Sequence, residues 1–452
     1  MRIELSLPQD FLDLLSSVGG IFYGDIKSRS VTHICTNSEE CSEGDIFFAL
    51  EGNRFDGNDF IPQAISRGAI PVGKSVGRYG IRVDSGSSAL LSFASYYKQM
   101  LPRLKHTSAI TGSVGKSTTK EFLNILSSVR YKTHATRENF NNDIGVSFTI
   151  LSADKDTESL ILELGMNHKG EISALSKAVK PDSAVITKLG SAHIGMLGCR
   201  EAIAEAKLEI TSALRGALYI PKGEKLLYTR HRPLKCFSSQ TTDADVAVIK
   251  NDFDQLELYF DGELYSIFKF PLMADHILQC LAAAITQALE IGLEPPEICE
   301  GIARITEKTF RHRIIESASG YRIIDDSYNA SYESVKAAFD MISEINEGNR
   351  VHAMLGDILE LGDMSRDIHC NIGKLVASRD IHFLFLAGNN ANDIADGAIS
   401  SGFDPERIFL FSDQDFPLAA SFIIRDLLLP GDLILVKASH GMNFKKIIDL
   451  IR

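Results

Sequence analysis

The glycine-rich stretch HTSAITGSVGKSTTKEFL carries the residues best suited to bind a phosphate. In it, an apolar run leads to Gly112, Gly115, Lys116 and Ser117, and a helical pattern follows. A strand that passes through a glycine turn into a helix directs free backbone N–H groups and the positive end of the helix dipole at one point, where a phosphate fits. Lys116 would then contact the β- and γ-phosphates of a nucleotide, and Ser117 would bind Mg²⁺.

The spacing of this loop departs from the usual phosphate-loop motif. In GxxxxGK[ST] the first glycine would fall at the position of Ile110, whereas the available glycine is Gly112. The alternative is an ordinary strand-to-helix turn with an exposed lysine. Because the strand, the glycines and GKS occur in the right order, we predict a phosphate-binding loop.

Two further polar residues follow apolar runs of the same block. Glu163 ends the run SLILE, and His193 follows the next run, in KLGSAHIGMLG. The carboxyl ends of parallel strands meet at one edge of a sheet, so Ser117, Glu163 and His193 together predict a metal–nucleotide site. Taken singly, Glu163 could form a salt bridge to a helix, and His193 could be structural.

Lys207 lies on the apolar stripe of a predicted helix. Ile203, Lys207 and Ile210 share one face of EAIAEAKLEI by their spacing. A lysine there must either extend its amine to solvent or find an anionic partner. From the periodicity alone, extension to solvent is the simpler interpretation.

Two polar clusters complete the candidate residues. Asn139, Asn141 and Asn142 crowd one loop, where they could either cap a turn or contact a ligand through their amides. Asp325 and Asp326 follow a strand-like run, where Asp326 could accept hydrogen bonds from a ribose, pair with a cation, or cap the next helix.

The elements that must position these residues fall into three blocks. Strand-like and helical runs alternate in the second and third blocks, which predicts α/β domains with parallel sheets. We predict three domains: residues 1–100, residues 101–308 and residues 309–452.

Composition narrows the class of protein. The chain has 452 residues and a formal net charge of −12, which argues against nucleic-acid binding. Seven cysteines without a CxxC pair suggest reduced thiols. The acidic first residues do not resemble a signal peptide, and no apolar run reaches the length of a membrane span, so we expect a cytoplasmic protein.

The motifs in their order along the chain resemble the Mur ligases of peptidoglycan synthesis, which use a shortened GxxGK[ST] loop. The resemblance implies an N-terminal domain that binds the UDP substrate, a central P-loop ATPase domain with a parallel sheet, and a C-terminal Rossmann-like domain. It rests on TGSVGKSTTKEF, NFNNDIGVSFTIL, LELGMNHKGEI, ITKLGSAHIGMLG, IAEAKLEI, HILQCLAAA, FRHRIIE, IIDDSYNASYESVKAA, MLGDILELG and VKASHGM.

The resemblance also implies roles for individual residues. ATP would be bound by Gly112, Ser113, Val114, Gly115, Lys116, Ser117, Thr118, Arg313 and Asp326. Two Mg²⁺ ions would be held by Ser117, Glu163, His193 and Lys207. Catalysis would depend on Lys116, Lys207 and His193. Substrate would contact Ser38, Asn141 and Asn142. In the family, the lysine that matches Lys207 is carried as a carbamate, which binds the second Mg²⁺.

The implied reaction is ATP-dependent amide ligation by a monomer. DDSYNA and LGDILELG resemble the branch that joins D-alanyl-D-alanine to UDP-N-acetylmuramoyl-tripeptide through an acyl phosphate. Glu39 replaces an arginine of the family's uridine signature, and Ile277 replaces an asparagine expected near adenine. The alternatives are a sister ligase that adds the third-position amino acid, folylpolyglutamate synthase, and a non-catalytic nucleotide-binding protein.

Overall fold

Three β-sheets with helices packed on them organise the chain. The computed structural model describes residues 1–25, 30–52, 55–190, 194–229, 231, 233–271, 274–306, 313–346, 348–411 and 416–452, with the backbone alone described for Arg313. Within these residues there are 21 strands and 15 α-helices.

The N-terminal sheet has a parallel centre and antiparallel edges. Its strands are β1 (Arg2–Asp10), β2 (Ile21–Tyr23), β3 (Ser30–Cys35), β4 (Ile46–Phe48), β5 (Ile70–Gly73) and β6 (Gly80–Arg82). Its helices are α1 (Phe11–Val18), α2 (Ile61–Ser66) and α3 (Gly86–Met100). The strand order is β1-β3-β4-β5-β6-β2, with β1 and β2 antiparallel to their neighbours.

The central sheet is the largest. Its strands are β7 (His106–Thr111), β8 (Thr133–Ala135), β9 (Ser159–Glu163), β10 (Ser183–Ile186), β11 (Leu218–Pro221), β12 (Leu234–Ser238), β13 (Val246–Lys250), β14 (Leu256–Phe260) and β15 (Glu263–Phe268). Its helices are α4 (Lys116–Ser127), α5 (Asp143–Leu151), α6 (Glu171–Val179), α7 (Ile194–Leu197), α8 (Arg200–Leu208), α9 (Asp275–Ile291) and α10 (Pro295–Ala303). The order is β15-β14-β13-β12-β11-β10-β7-β9-β8.

The C-terminal sheet is parallel apart from its first strand. Its strands are β16 (Arg313–Glu316), β17 (Arg322–Asp325), β18 (Val351–Gly356), β19 (Ile381–Ala387), β20 (Ile408–Phe411) and β21 (Leu433–Lys437). Its helices are α11 (Tyr332–Ile345), α12 (Ser365–Ala377), α13 (Ala391–Ser400), α14 (Phe416–Leu427) and α15 (Lys445–Ile451). The order is β16-β17-β21-β18-β19-β20.

The strand order brings the carboxyl ends of neighbouring parallel strands together at one edge of the sheet. Strand β7 pairs in parallel with β9 on one side and β10 on the other, so the three carboxyl ends lie side by side. In the C-terminal sheet, β21 lies in the same way between β17 and β18. All residues of β9 and β10 are buried because helices cover both faces of a parallel sheet, which explains their continuous apolar runs.

The three sheets pack against one another through helices and loops. Helix α3 packs on α5, which joins the N-terminal sheet to the central unit. One apolar cluster contains Ile277 of α9 together with Ala338 and Phe339 of α11. The backbone N–H of Gly195 donates to the carbonyl of Glu360 at 3.2 Å, which adds a polar contact between the central and C-terminal units.

The predicted α/β class and three-unit architecture are confirmed, whereas the exact domain boundaries stay predictions. One predicted helix needs correction, and one group of strands was missed. The predicted helix that carries Ile203, Lys207 and Ile210 ends at Leu208, and the chain continues as a 3₁₀-helix, Glu209–Ala213. The antiparallel strands of residues 246–268 were not predicted, although Asp261-Gly262 between alternating apolar residues is a hairpin signal. Among the described helices, none has the length and apolarity needed to cross a membrane.

Candidate active site

The glycine loop between β7 and α4 runs too close to its neighbours for larger residues. Gly112 has φ +148°, and a Cβ there would lie 2.1 Å from Thr187 Oγ1. Gly115 has φ +87°, and a Cβ there would lie 2.7 Å from Cys280 Sγ. Glycine therefore fits both positions, where a larger residue would have a strained backbone and would clash with its neighbours.

The polar groups of the loop point to one space. Lys116 Nζ donates to the carbonyl of Gly112 at 2.9 Å and to that of Ser113 at 3.4 Å. Thr187 Oγ1 donates to the carbonyl of Val114 at 2.6 Å, which fixes the loop. Ser113 Oγ is buried and has no hydrogen-bond partner among the residues that the structure describes. An orphaned hydroxyl, an ammonium group and a helix N-terminus together fit a phosphate.

Ser117 and Glu163 form the oxygen-rich part of the site. Ser117 Oγ donates to Glu163 Oε2, and Asn141 Nδ2 donates to Glu163 Oε1 at 3.0 Å. The backbone N–H of Glu163 donates to Thr136 Oγ1 at 3.0 Å, and the Glu163 side chain is 2% exposed. A hydroxyl and a carboxylate are hard oxygen ligands, so this pair fits Mg²⁺. Within the described ranges, no group of three His, Cys, Asp or Glu residues could hold a metal.

Lys207 is buried beside this pair. Its residue is 1% exposed, so the expectation that its amine extends to solvent is wrong. Burial lowers the pKa of Lys207 well below its ordinary value; the charge of Lys116 lowers it further, and Glu163 opposes both. The helical periodicity did not predict this burial, because it locates the apolar stripe of the helix but not the residues that pack against that stripe.

A cavity of about 500 Å³ joins the central and C-terminal sheets at this edge. Its central side includes the loop residues Ser113 to Thr118, with Asn139, Asn141, Glu163 and Lys207. Its C-terminal side includes Asp326, Tyr328, Asn329, Lys437, Ser439 and His440. The predicted loop, Glu163, Lys207 and Asp326 therefore lie around one space.

Asp326 forms an ion pair with Lys437, a residue that was not predicted from the sequence. Lys437 Nζ donates to Asp326 Oδ2 at 2.5 Å and to the carbonyl of Asn329 at 2.9 Å, and Lys437 is 2% exposed. Ser331, not Asp326, caps the following helix. The available signal was a lysine at the carboxyl end of the apolar strand DLILVK.

Four predicted residues stand apart from this arrangement. Asn142 accepts a hydrogen bond from the backbone N–H of Gly145 at 2.8 Å and so caps α5. Ser38 lies in the N-terminal unit, where its Oγ donates to Gln63 Oε1 at 2.6 Å. Neither is among the described residues that line the cavity. His193 and the side chain of Arg313 lie outside the described residues.

Comparison with known families covers most of the chain. The Mur ligase middle domain matches residues 110–288, which include the glycine loop, Glu163 and Lys207. The glutamate ligase domain of the Mur ligases matches residues 310–440, which include Asp326 and Lys437. The catalytic-domain model of the Mur ligase family matches residues 30–77.

Full-length relatives agree with these matches. The chain is 33% identical to UDP-N-acetylmuramoyl-tripeptide–D-alanyl-D-alanine ligase of Bacillus subtilis, over 94% of each chain. A MurF crystal structure from Acinetobacter baumannii superposes with a TM-score of 0.86, at 27% identity and 99% coverage of both chains. MurF ligase from Thermotoga maritima in complex with ADP superposes with a TM-score of 0.77, at 24% identity, covering 92% of this chain and 96% of that one. The chain belongs to the Mur ligase family.

Proposed function

We propose that the protein is an ATP-dependent ligase that joins D-alanyl-D-alanine to the terminal carboxylate of UDP-N-acetylmuramoyl-tripeptide, in the synthesis of peptidoglycan precursors. The observation that carries this proposal is the cavity in which the glycine loop, Glu163 and Lys207 face Asp326 and Lys437. The Bacillus subtilis relative, which matches over almost the whole chain, bears the name of this activity.

ATP would bind with its phosphates in the glycine loop. The backbone N–H groups of residues 114–118 and the orphaned Ser113 hydroxyl would hold the phosphate oxygens. Lys116 would leave its carbonyl partners for the γ-phosphate. The Thermotoga maritima neighbour, a MurF ligase in complex with ADP, supports the binding of an adenine nucleotide. Asp326 would contact the ribose, and Arg313 would approach ATP from the C-terminal sheet.

Two Mg²⁺ ions are the metals that we expect here. Ser117 and Glu163 would hold one ion, and His193 would add a ligand to the site. Burial lowers the pKa of the Lys207 amine, which favours the neutral form that can react with CO₂. The amine would lose a proton as the N–C bond to CO₂ forms, and the resulting carbamate would hold the second ion. When bound, the ions would neutralise charge on the transferring phosphoryl group.

The reaction needs no nucleophile from the enzyme. The tripeptide carboxylate attacks the γ-phosphorus of ATP and releases ADP, which gives an acyl phosphate. The free amine of D-alanyl-D-alanine then attacks the acyl carbon, phosphate leaves, and the nitrogen loses a proton. Lys116 stabilises negative charge on the phosphoryl group. In the cavity between the two sheets, exclusion of water would protect the acyl phosphate from hydrolysis.

We expect the substrate contacts in the same cavity and in the N-terminal unit. Asn141 lines the cavity next to Glu163 and would contact the tripeptide near its carboxylate. Ser38 would contact the uridine end from the N-terminal unit, and Asn142 would act indirectly, by capping α5 next to Asn141. The cytoplasmic location and the monomeric state stay predictions.

One assay tests the function against its alternatives. The protein is incubated with ATP, Mg²⁺ and UDP-N-acetylmuramoyl-tripeptide, and phosphate release is compared with D-alanyl-D-alanine, with diaminopimelate and with neither. We expect release that depends on the dipeptide. It should be abolished in Lys116→Met and retained in Lys177→Met, an exposed lysine away from the cavity. Release that is independent of the dipeptide, or retained in Lys116→Met, would refute the proposal.

A further inference from the structure

A second cavity lies at the opposite edge of the central sheet. It has a volume of about 250 Å³ and is bordered by the end of α3, the end of α6 and the amino-terminal ends of β7 and β10. Thr107, the second residue of β7, lines it, and so does Asp182, which directly precedes β10. The length of β7 therefore separates this cavity from the glycine loop.

Positive charge dominates the lining of this cavity. Lys98, Lys105, Lys180 and Arg215 line it, against a single carboxylate, Asp182. Arg215 Nη1 lies 3.5 Å from Asp182 Oδ1, and Lys105 Nζ lies 2.8 Å from a glutamate outside the lining, so these two charges are offset. Lys98 and Lys180 leave an excess of positive charge, on a chain whose formal net charge is −12.

Lys98 brings a buried cation to the cavity wall. It is 8% exposed, and its Nζ donates to the carbonyl of Val179 at 2.5 Å. An ammonium group has three N–H donors, and this bond uses one of them. Burial lowers the pKa of Lys98 to about 8; the charges of Arg215 and Lys180 lower it further, while Asp182 raises it. The side chain is therefore still charged at neutral pH.

Thr107 supplies an independent observation. Its Oγ1 is buried and finds no hydrogen-bond partner in the part of the chain that the structure describes. The backbone N–H of Thr107 donates to Asp182 Oδ2 at 2.9 Å, so the strand is fixed while the hydroxyl is not used. A buried hydroxyl without a partner in a cavity wall indicates a missing acceptor or donor.

A purely structural explanation accounts for part of this arrangement. Lys98 and Ser95 bond the carbonyls of Val179 and Ala178, and so satisfy the C-terminal end of α6. That role uses one N–H of Lys98. It does not explain the orphaned Thr107 hydroxyl, the additional cations, or an open volume equal to roughly eight water molecules at ~30 Å³ each.

We infer that this cavity is a binding site for a small phosphate-type oxyanion, held by Lys98, Lys180 and the Thr107 hydroxyl. Inorganic phosphate and a small phosphate monoester share the required chemistry. Because α3 belongs to the N-terminal unit and β7 to the central sheet, the bound anion bridges the two and stabilises their packing.

The test is a titration of inorganic phosphate into the full-length protein, followed by ³¹P NMR and calorimetry, with a saturating non-hydrolysable ATP analogue present to fill the glycine loop and the γ-phosphate position. Lys98→Met should weaken binding roughly tenfold, since it removes a charged hydrogen bond. Lys180→Asn should weaken binding roughly threefold, since it removes an exposed charge. Lys180 has φ +47°, a conformation that asparagine tolerates, so this variant keeps the fold.

Lys177→Asn is the matched control, because Lys177 lies on the same helix and does not line the cavity. Its phosphate affinity should equal that of the wild type. Glycerol phosphate in place of phosphate distinguishes the two sources of the anion, and binding of either one supports the site. Absence of binding to the protein saturated with the ATP analogue, or equal affinity in Lys98→Met, Lys180→Asn and the control, would overturn the inference.

Discussion

Two glycines offer a matched test of the phosphate loop. Gly115 and Gly170 are both N-cap residues with left-handed backbones, at φ 87°, ψ −4° and φ 95°, ψ −22° respectively. They differ in their surroundings: a Cβ at Gly115 would lie 2.7 Å from Cys280 Sγ, and a Cβ at Gly170 would meet no atom within 4 Å. Alanine at each position therefore shares the backbone strain and differs in the clash.

The expected magnitudes follow from this difference. The left-handed backbone costs an alanine about 1–2 kcal/mol, so Gly170→Ala should lower the free energy of unfolding by that amount. Gly115→Ala adds overpacking against a buried sulfur, about 1–3 kcal/mol more. The shift that relieves the clash also moves the backbone N–H groups of the loop. Gly115→Ala should therefore weaken ADP binding, while Gly170→Ala leaves it unchanged.

Urea unfolding and ADP titration of the two variants measure these effects. Cys280→Ala removes the clashing sulfur, so the double variant with Gly115→Ala should recover about 1–3 kcal/mol relative to the sum of the single effects. If Gly115→Ala and Gly170→Ala agree within about 0.5 kcal/mol, or if Cys280→Ala gives no recovery, the close approach of the loop to α9 is refuted.

Three further predictions concern buried charged or titratable groups. Lys207→Ala should lower turnover by roughly 10²–10³-fold. Added acetate should restore part of this turnover, and it should not change the turnover of the control variant Lys177→Ala. No rescue by acetate would count against the carbamate. His352 has its pKa lowered to about 4, chiefly by burial, from 6.5. Above pH 6.5 its imidazole is uncharged in both the folded and the unfolded protein. As the pH falls from 6.5 towards 4, the imidazole takes up a proton in the unfolded protein before it does so in the folded one, so the free energy of unfolding falls by up to ~3 kcal/mol. His352→Leu should therefore lose less unfolding free energy between pH 7 and 4.5 than the wild type, and equal losses would contradict this cause. Lys437→Met should lower the free energy of urea unfolding by about 3–5 kcal/mol, because it removes the buried ammonium group that pairs with the Asp326 carboxylate. Asp326→Asn in the same chain should recover much of that loss, and additive effects would argue against the pair.

Local signals made part of the site predictable. The glycine loop and Glu163 were found because each follows directly from a short sequence pattern. That they meet depends on β7 lying between β9 and β10, and this strand order is set by long-range packing. Lys437 was missed because its partner Asp326 is 111 residues away in the sequence. The burial of Lys207 depends on what packs over α8, which a helical period does not contain.

The fold, like the site, was predictable only where a local sequence pattern identifies the element. Buried parallel strands were predictable from their apolar runs, since both faces are covered. The antiparallel strands of residues 246–268 lie at the outer end of the central sheet, and β15 is largely exposed on both faces. In β14 and β15 the sequence therefore mixes polar and apolar residues, and the apolar runs that identified the other strands are absent from these two strands. The turn at Asp261-Gly262 was the stronger signal.

The central claim is that the substrate carboxylate takes the γ-phosphoryl group of ATP, and isotope transfer tests it most directly. UDP-N-acetylmuramoyl-tripeptide labelled with ¹⁸O in its terminal carboxylate is turned over with ATP and D-alanyl-D-alanine, and the released phosphate is analysed by mass spectrometry. The acyl-phosphate route predicts one ¹⁸O atom in each phosphate formed from a fully labelled carboxylate. Unlabelled phosphate, formed at the same rate as the amide product, would contradict it.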